Sequence, residues 1–451
     1  MELKGKKVLV YGTGKSGIGA AELLEKVQAQ PVLFDENDKL TLEDVKSKLP
    51  ADSHAGVILG KLKEDELDQF DLCIMSPGVP TDLPLVNEIR SRGIRIWGEV
   101  ELAYENSKGD VLAITGTNGK TTTTSLLGDI MRQHTSSVYV VGNIGNPYTD
   151  IALKTGEDTV TVAEISSFQL ETIEKFRPKV SAILNITPDH LNRHHTMEEY
   201  IRVKESITVN QTEEDTCVLN YEDDVLREFG KNVKAEVIFF SSLRTLEKGL
   251  YLKDGSIMYN SGTEETEVCR TSELNILGRH NHENVMAAVG MALAYGVPLE
   301  EIRRAARQFK AVEHRIEFVE EKNGVAYYND SKGTNPDAAI KGIQAMDRPT
   351  VLIGGGYDKG SSYEEWIRSF DGKVRKLVLL GETKEKIAEA ANKCGFTDII
   401  FAETLEEAVD ICAGEARTGD AVLLSPACAS WDMFPSYEVR GQMFKEYVRK
   451  L

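Results

Sequence analysis

No stretch of this 451-residue chain approaches the ~20 consecutive apolar residues that a membrane helix requires, so no membrane insertion is expected. Basic charge is also in short supply: 53 Lys and Arg stand against 72 Asp and Glu, a formal net charge of −19. Nonspecific nucleic-acid binding rests on clustered cations that displace counterions from a phosphate backbone, so no nucleic-acid partner is expected and any phosphate site must be local. Cysteine is sparse and scattered. Cys73, Cys217, Cys269, Cys394, Cys412 and Cys428 form no C-x-x-C pair, which argues against a zinc cage or disulfide framework and leaves buried free thiols in a reducing compartment. Repeats and low-complexity tracts are missing apart from Thr121 to Thr124, so solenoid architectures drop out. The amino-terminal run MELKGKKVLVYGTG has no signal-peptide core, and a cytoplasmic protein is expected.

What is present is ordinary globular composition, 28% charged and 41% hydrophobic, in a length that suits two or three domains. Short continuous apolar runs alternate with polar, helix-length segments, the pattern of parallel strands covered on both faces. One α/β series contains KVLVYG, PVLFD and DLCIMSPG. A second opens at DVLAITGTNGKTT, passes through TVTVAEISS and VSAILNITPDH, and reaches a helix in HNHENVMAAVGMALAYG that Gly296 and Pro298 terminate. A third has VAYYNDSKG, TVLIGGG, KLVLLG and AVLLSP as strands. The expected fold class is α/β in three domains, 1–98, 99–311 and 312–451, with junctions near Gly98 and Val312.

Gly12, Gly14 and Gly17 form G-x-G-x-x-G between a strand, Val8 to Tyr11, and a helix, Ala20 to Val27, with Asp35 closing the next strand. Such glycines let a diphosphate approach a helix amino terminus, and the acidic residue can accept from a ribose hydroxyl. At this point the glycines can equally be closing a turn, and the motif does not specify NAD; Lys15 and Ser16 suit another diphosphate. The stronger signal is TGTNGKTT, between a strand, Val111 to Ile114, and a helix beginning near Thr122. Amides of Gly116, Thr117, Asn118, Gly119, Lys120, Thr121 and Thr122 can wrap a triphosphate, Lys120 can reach its terminal oxygens, and the Thr121 hydroxyl can ligate magnesium. The loop is a shortened variant of the strict P-loop, because Ile114 occupies the first glycine position.

Glu164 ends the strand Val160 to Ala163, and Asp189 and His190 follow the strand Ser181 to Ile186. Chemistry in parallel α/β sheets sits at carboxyl ends of strands, so Glu164, His190 and the loop hydroxyl can jointly hold magnesium. His194 and His195 read as an exposed turn. Lys204, in the helical stretch Glu198 to Thr208, reads as a surface lysine. In the third series Arg315, Asp330, Lys332 and Lys359 lie on loops flanking strands, where they can clamp carboxylates and phosphates or merely form surface ion pairs.

GTNGKTT, AEISSFQLE, TPDHLNRH, HNHEN, EHR, NDSKGTN and SPACASWDMF, in this order, resemble the Mur ligases that build the peptidoglycan stem peptide, across essentially the whole chain. NDSKGTN and SPACAS resemble the branch that adds D-glutamate. The resemblance implies a Rossmann-like UDP-binding domain, a central P-loop ATPase domain and a carboxyl-terminal Rossmann-like domain that recruits the amino acid. It implies ATP and Mg2+ as cofactors, UDP-N-acetylmuramoyl-L-alanine and D-glutamate as substrates, and a monomer is expected. Gly14, Lys15, Ser16 and Gly17 would then meet the diphosphate, with Asp35 and Ser76 near the uridine and Asn143 on the muramoyl group. Lys120 and Thr121 match the phosphate lysine and the magnesium hydroxyl, Glu164 and His190 surround the metals, and Lys204 matches a lysine that carries a carbamate and becomes a metal ligand. Asn281, Asn284, Arg315 and Asp330 match nucleotide contacts; Thr334, Lys359, Ser430 and Tyr437, with His190, match the D-glutamate site. Asn192 departs from an Asp common in relatives, and Tyr437 from a Phe.

A carboxylate resists attack by an amine because oxide is a poor leaving group, and phosphorylation by ATP supplies a better one. The expected reaction therefore passes through an acyl phosphate that the D-glutamate amine attacks, with His190 orienting or deprotonating the amine. A related ATP-dependent ligase that adds another amino acid or uses a different acceptor, such as one that extends folate with glutamate, an NAD-dependent oxidoreductase and a noncatalytic nucleotide-binding protein are the competing readings. Because an acyl phosphate hydrolyses in water, the third domain is expected to hinge about Val312 before chemistry. Small-angle scattering is expected to show a smaller radius of gyration with nucleotide and substrate than without; identical dimensions would count against the hinge.

Overall fold

The computed structural model describes residues 2–451. It contains three sheets, and the mixed α/β, mostly parallel architecture agrees with the fold class expected from the sequence. By backbone proximity the chain divides into two compact units, the chain through Cys269 with Asn284–Ala305, and Arg270–Glu283 with Ala306–Leu451.

The first unit holds two sheets. The first comprises β1 (Lys7–Tyr11), β2 (Gln30–Asp35), β3 (Gly56–Leu59), β4 (Leu72–Met75) and β5 (Arg95–Gly98), in the order β3-β2-β1-β4-β5 with every pair parallel. Val8, Leu9 and Val10 of β1 are buried on both faces, which is why this strand is an unbroken apolar run rather than an alternating one. The helix Lys15–Lys26 starts earlier than expected, directly after the glycine turn, and buries Ala20, Ala21, Leu23 and Leu24.

The second sheet comprises β6 (Asp110–Thr115), β7 (Val138–Gly142), β8 (Val160–Glu164), β9 (Val180–Ile183), β10 (Thr216–Asn220), β11 (Glu236–Ser241), β12 (Gly249–Lys253), β13 (Ser256–Asn260) and β14 (Glu265–Arg270). Its order is β14-β13-β12-β11-β10-β9-β6-β8-β7, parallel from β7 to β12, with an antiparallel hairpin joining β12 to β13. One apolar cluster runs through both sheets of this unit, from Val8, Leu24 and Trp97 to Val111, Ile183 and Leu219.

The second unit carries β15 (Glu317–Lys322), β16 (Val325–Asn329), β17 (Thr350–Gly354), β18 (Val374–Leu379), β19 (Ile399–Phe401) and β20 (Ala421–Leu424), in the order β15-β16-β20-β17-β18-β19. Only β15 runs antiparallel to its neighbour. Two apolar clusters contain the sheet's core residues, one with Leu352, Trp366 and Leu377, the other with Ile353, Val409 and Phe444.

After β5, the helix Glu99–Glu105 is locked onto the central layer by a buried carboxylate. Glu101 accepts from the backbone amides of Glu174, Lys175 and Phe176 at 2.8, 2.7 and 3.0 Å. Burial pushes its carboxyl pKa up, against three donors that favour the charged form. Glu101→Ala is expected to destabilise the first unit by about 3–5 kcal/mol, because three buried amides lose their acceptor, and Glu101→Gln by less. Guanidinium unfolding measures both.

Candidate active site

Each sheet places functional loops at the carboxyl ends of three adjacent parallel strands. In the first sheet these are β2, β1 and β4, which end at Asp35, at the glycine turn and at Ser76. A cavity of about 470 Å³ opens there, lined by Gly14, Lys15, Ser16, Asp35, Ser76 and Asn143 among others. Six of the seven residues expected at the UDP-linked substrate are thus brought together. Gly17 is not on the wall: a Cβ at this position would stand 1.9 Å from the Gly12 carbonyl oxygen, so only glycine lets the helix close on the turn. The Asp35 carboxylate is held by Thr13, whose amide and hydroxyl donate at 3.1 and 2.7 Å, and by the Asn37 amide at 3.0 Å. Lys15 Nζ donates to the Gly145 carbonyl at 2.7 Å, across the mouth of the cavity.

In the central sheet the relevant strands are β9, β6 and β8. The loop Gly116–Gly119 follows β6, with Glu164 at the end of β8 on one side and the segment after β9 on the other. The helix Lys120–His134 begins at Lys120, two residues before the expected start, behind a left-handed Gly119 with φ of 88°. A Cβ on Gly119 would lie 2.2 Å from Asn284 Oδ1, so Asn284 packs against the loop backbone. The loop is braced by Asn185, whose backbone and side-chain oxygens accept from the amides of Thr117 and Asn118. Lys120 Nζ folds back on the carbonyl oxygens of Gly116 and Thr117 at 2.9 and 3.0 Å.

Glu164 is 1% exposed. Its Oε1 accepts from Asn143 Nδ2 at 2.8 Å, whereas its Oε2 is buried with no hydrogen-bond partner. A buried carboxylate oxygen left unpaired is costly, and a cation is the simplest group to satisfy it. His190 is half-exposed, adopts φ of 52° and caps the short helix Leu191–His194; its ring lies 4.9 Å from that of Phe168.

Two residues differ from the reading of their side chains in sequence. Lys204 is 1% exposed rather than a surface lysine; its Nζ donates to the Gly116 carbonyl at 2.9 Å and lies 4.8 Å from the centre of the Tyr200 ring. Burial, reinforced by the Lys120 charge, pulls its pKa down to about 7. The available signal was spacing: Tyr200, Val203, Lys204 and Ile207 occupy i, i+3, i+4 and i+7, so Lys204 falls on the apolar stripe. His194 is buried rather than on an exposed turn, hydrogen-bonded to Ser167 Oγ at 3.0 Å, with burial lowering its pKa. His195 is exposed as expected. Five of the six cysteines are buried and Cys394 is half-buried, all as free thiols.

In the second unit the strands are β16, β20 and β17, followed by NDSKGTN, SPACAS and GGGYDKG. Asp330 is buried at the end of β16, where it accepts from Ser425 Oγ at 2.7 Å and the Ile316 amide at 3.3 Å. Burial raises its pKa to about 7, while Ser425 and the positive charge of Arg315 and Arg440 oppose the rise. Ser430 Oγ is buried without a hydrogen-bond partner. The Tyr437 ring lies 3.8 Å from Lys332 Nζ, and Lys359 Nζ sits 4.9 Å from the centre of the exposed Trp431 ring. Thr334 follows on the β16 loop, its amide donating to the Lys332 carbonyl at 2.8 Å. Asn281 donates to the Leu277 carbonyl at 2.7 Å. Sequence reasoning missed Arg440, whose buried guanidinium ties the first two of these loops together through Ser331, Cys428 and Ala429.

Two other features are not part of this arrangement. Glu313, His314 and Glu317 cluster as metal ligands would, but the Lys445 ammonium pairs with both carboxylates, which makes the group an ion-pair network. A cavity of about 950 Å³ beside Leu277, His282 and Arg348 is lined by none of the expected site residues.

Residues 6–98 match the domain family described as Mur ligase MurD-like, N-terminal domain; residues 114–292 match the Mur ligase middle domain, and residues 314–428 the Mur ligase, glutamate ligase domain. The chain is 58% identical over 451 residues to the UDP-N-acetylmuramoylalanine--D-glutamate ligase of Lachnoclostridium phytofermentans, covering 100% of this chain and 99% of the relative. It is 47% identical to the protein of the same name from Clostridioides difficile, with both chains covered in full. Among solved structures it is similar in fold to UDP-N-acetylmuramate-alanine ligase of Thermotoga maritima, with a TM-score of 0.60, 18% identity and 99% of each chain covered. A MurF ligase of Thermotoga maritima in complex with ADP gives a TM-score of 0.58 at 18% identity, covering 100% of this chain and 96% of that one.

The depressed pKa of Lys204 has a direct readout. Below about pH 7 the amine is protonated and inert, and above it the neutral amine is free to add carbon dioxide. With 13C-labelled carbon dioxide at constant dissolved concentration, a lysine carbamate resonance is expected to appear as the pH rises through about 7, and to be missing from Lys204→Arg. A resonance that appears only near the ordinary lysine pKa would contradict this environment.

Proposed function

The chain belongs to the Mur ligase family, and from that premise we propose that it is the ATP-dependent ligase that joins D-glutamate to UDP-N-acetylmuramoyl-L-alanine in peptidoglycan precursor synthesis. The observation that carries this reading is the end-to-end match, at 58% identity, to a relative named for that reaction.

The roles follow from the three loop clusters. The cavity at Gly14, Lys15, Ser16, Asp35 and Ser76 takes the UDP end of the substrate, and Asn143 stands between that cavity and Glu164. The Gly116–Thr122 loop takes the ATP phosphates, with Lys120 leaving its two carbonyl acceptors to neutralise charge on the transferring phosphoryl group. Asn281, Asn284, Arg315 and Asp330 are assigned to nucleotide contacts by the family match.

Magnesium fits the residues present, on the ground that Glu164 Oε2 is buried and unpaired. Thr121, Glu164, His190 and Lys204 in its carbamate form would hold it, and it would supply positive charge beside the phosphates.

The alanyl carboxylate attacks the γ-phosphorus, giving an acyl phosphate and ADP. Thr334, Lys359, Ser430 and Tyr437 orient D-glutamate: Lys359 faces a carboxylate, and the unpaired Ser430 hydroxyl gains a partner. The amine attacks the acyl carbon, losing a proton to His190 or water, and the tetrahedral intermediate collapses to the amide and phosphate.

Phosphate release from ATP and magnesium with UDP-N-acetylmuramoyl-L-alanine tests the assignment, with D-glutamate compared against L-glutamate, L-lysine, meso-diaminopimelate and no amino acid. Release coupled to a D-glutamate adduct alone, seen by mass spectrometry, is expected. Joining of another amino acid instead would overturn the role given to the second unit.

A further inference from the structure

We propose that Arg193 is a positioning residue that ties the wall of the first cavity to the His190 turn, so that filling the cavity fixes the turn. The inference rests on the reading of that cavity as the site of the UDP-linked substrate.

His190 occupies a left-handed conformation that costs free energy for any residue but glycine, and such a residue persists only where its surroundings over-determine it. Arg193, three residues on, supplies that constraint. Its Nη2 and Nε donate to the two oxygens of Glu171 at 2.6 and 3.3 Å, a two-pronged pair in which the side chains are only 11% and 9% exposed. The same Nη2 donates to the Val79 carbonyl at 2.8 Å. The guanidinium also lies 5.1 Å from the centre of the Phe168 ring, which packs against the rings of His190 and His194.

Val79 and Phe168 both line the cavity. A second tether runs beside the first, from His195 Nε2 to the Asp82 carboxylate at 3.0 Å. The loop after β4, which carries Ser76 into the cavity, and the segment Asp189–His195 after β9 are therefore held as one piece, although they leave different sheets of the same unit. Arginine suits this task because its planar fork reaches a carboxylate in two places and still offers a donor to a carbonyl. A lysine keeps the charge and satisfies only part of that set.

Arg193→Lys in the full-length protein separates positioning from simple support. Calorimetry with UDP-N-acetylmuramoyl-L-alanine, without ATP or metal, gives a dissociation constant, and phosphate release gives kcat and KM for each substrate. The dissociation constant and the KM for this substrate are expected to rise about 5-fold or more, with kcat falling about 10-fold or more and the KM for ATP within about 2-fold. A fall in kcat with the dissociation constant and KM unchanged would overturn the proposal, since a smaller folded fraction lowers kcat without moving KM; so would no change in any of them. Should Arg193→Lys fail to fold, Glu171→Gln, which keeps an acceptor and removes the ion pair, carries the same test with the same outcomes. Wild-type protein that neither binds nor turns over this substrate overturns the reading of the cavity. Wild type that does both, with a variant that binds equally well, overturns the role of Arg193 alone.

Discussion

Two lysine side chains, Lys120 and Lys204, converge on one carbonyl oxygen, that of Gly116. Burial, reinforced by the neighbouring Lys120 charge, disfavours the charged form of Lys204, and its pKa falls to about 7. Much of the central site follows from this. The loop that presents the Gly116 carbonyl turns through the left-handed Gly119 and is braced by Asn185 and Asn284. With its pKa pulled down to about 7, Lys204 is only partly protonated near neutrality, and the carbamate form proposed for it would put a negative charge beside Lys120 in place of a positive one. The same stroke would add an anionic oxygen donor near a loop built for phosphates, where Glu164 already holds an unpaired oxygen.

All three sheets solve their placement problem alike. A parallel strand covered on both faces can present polar groups only where it ends, so functional residues collect on the loops after strands that are neighbours in space rather than in sequence. Asp35, the glycine turn and Ser76 follow β2, β1 and β4; His190, Lys120 and Glu164 lie at or after the ends of β9, β6 and β8; Asp330, Ser430 and Lys359 follow β16, β20 and β17. Guanidiniums then fix some of these loops against each other, as Arg193 and Arg440 do, while the buried Glu101 carboxylate holds the helix Glu99–Glu105 to the segment before β9.

This logic explains what was legible in the sequence. Apolar runs that stop at Gly, Asp, Glu or Ser mark strand ends, so the residues on them were found with their approximate places, although helix starts were misjudged by a few residues. Side chains whose role depends on burial were harder. Lys204 lies in a helix with Glu198, Glu199 and Arg202, and its charge outweighed its position on the Tyr200–Val203–Ile207 stripe; only the family resemblance singled it out. His194 was misread because its neighbours in H-L-N-R-H-H are polar, whereas its environment is made by Ser167, Phe168 and Tyr200 from other segments. Gly17 was placed at the diphosphate by the resemblance, while its motif left open that the glycines close the turn; the 1.9 Å approach to the Gly12 carbonyl fits that turn-closing reading.

The chemistry proposed for this scaffold has one defining event, transfer of the γ-phosphoryl group to a carboxylate oxygen. The most direct measurement follows that oxygen: UDP-N-acetylmuramoyl-L-alanine labelled with 18O in both carboxylate positions is turned over with ATP, magnesium and D-glutamate, and the released phosphate is analysed by mass spectrometry. Phosphate carrying one 18O atom, with one 18O atom retained in the amide, is the expected result. Unlabelled phosphate with both 18O atoms left in the recovered substrate would contradict the acyl-phosphate account and the roles assigned to Lys120 and Glu164.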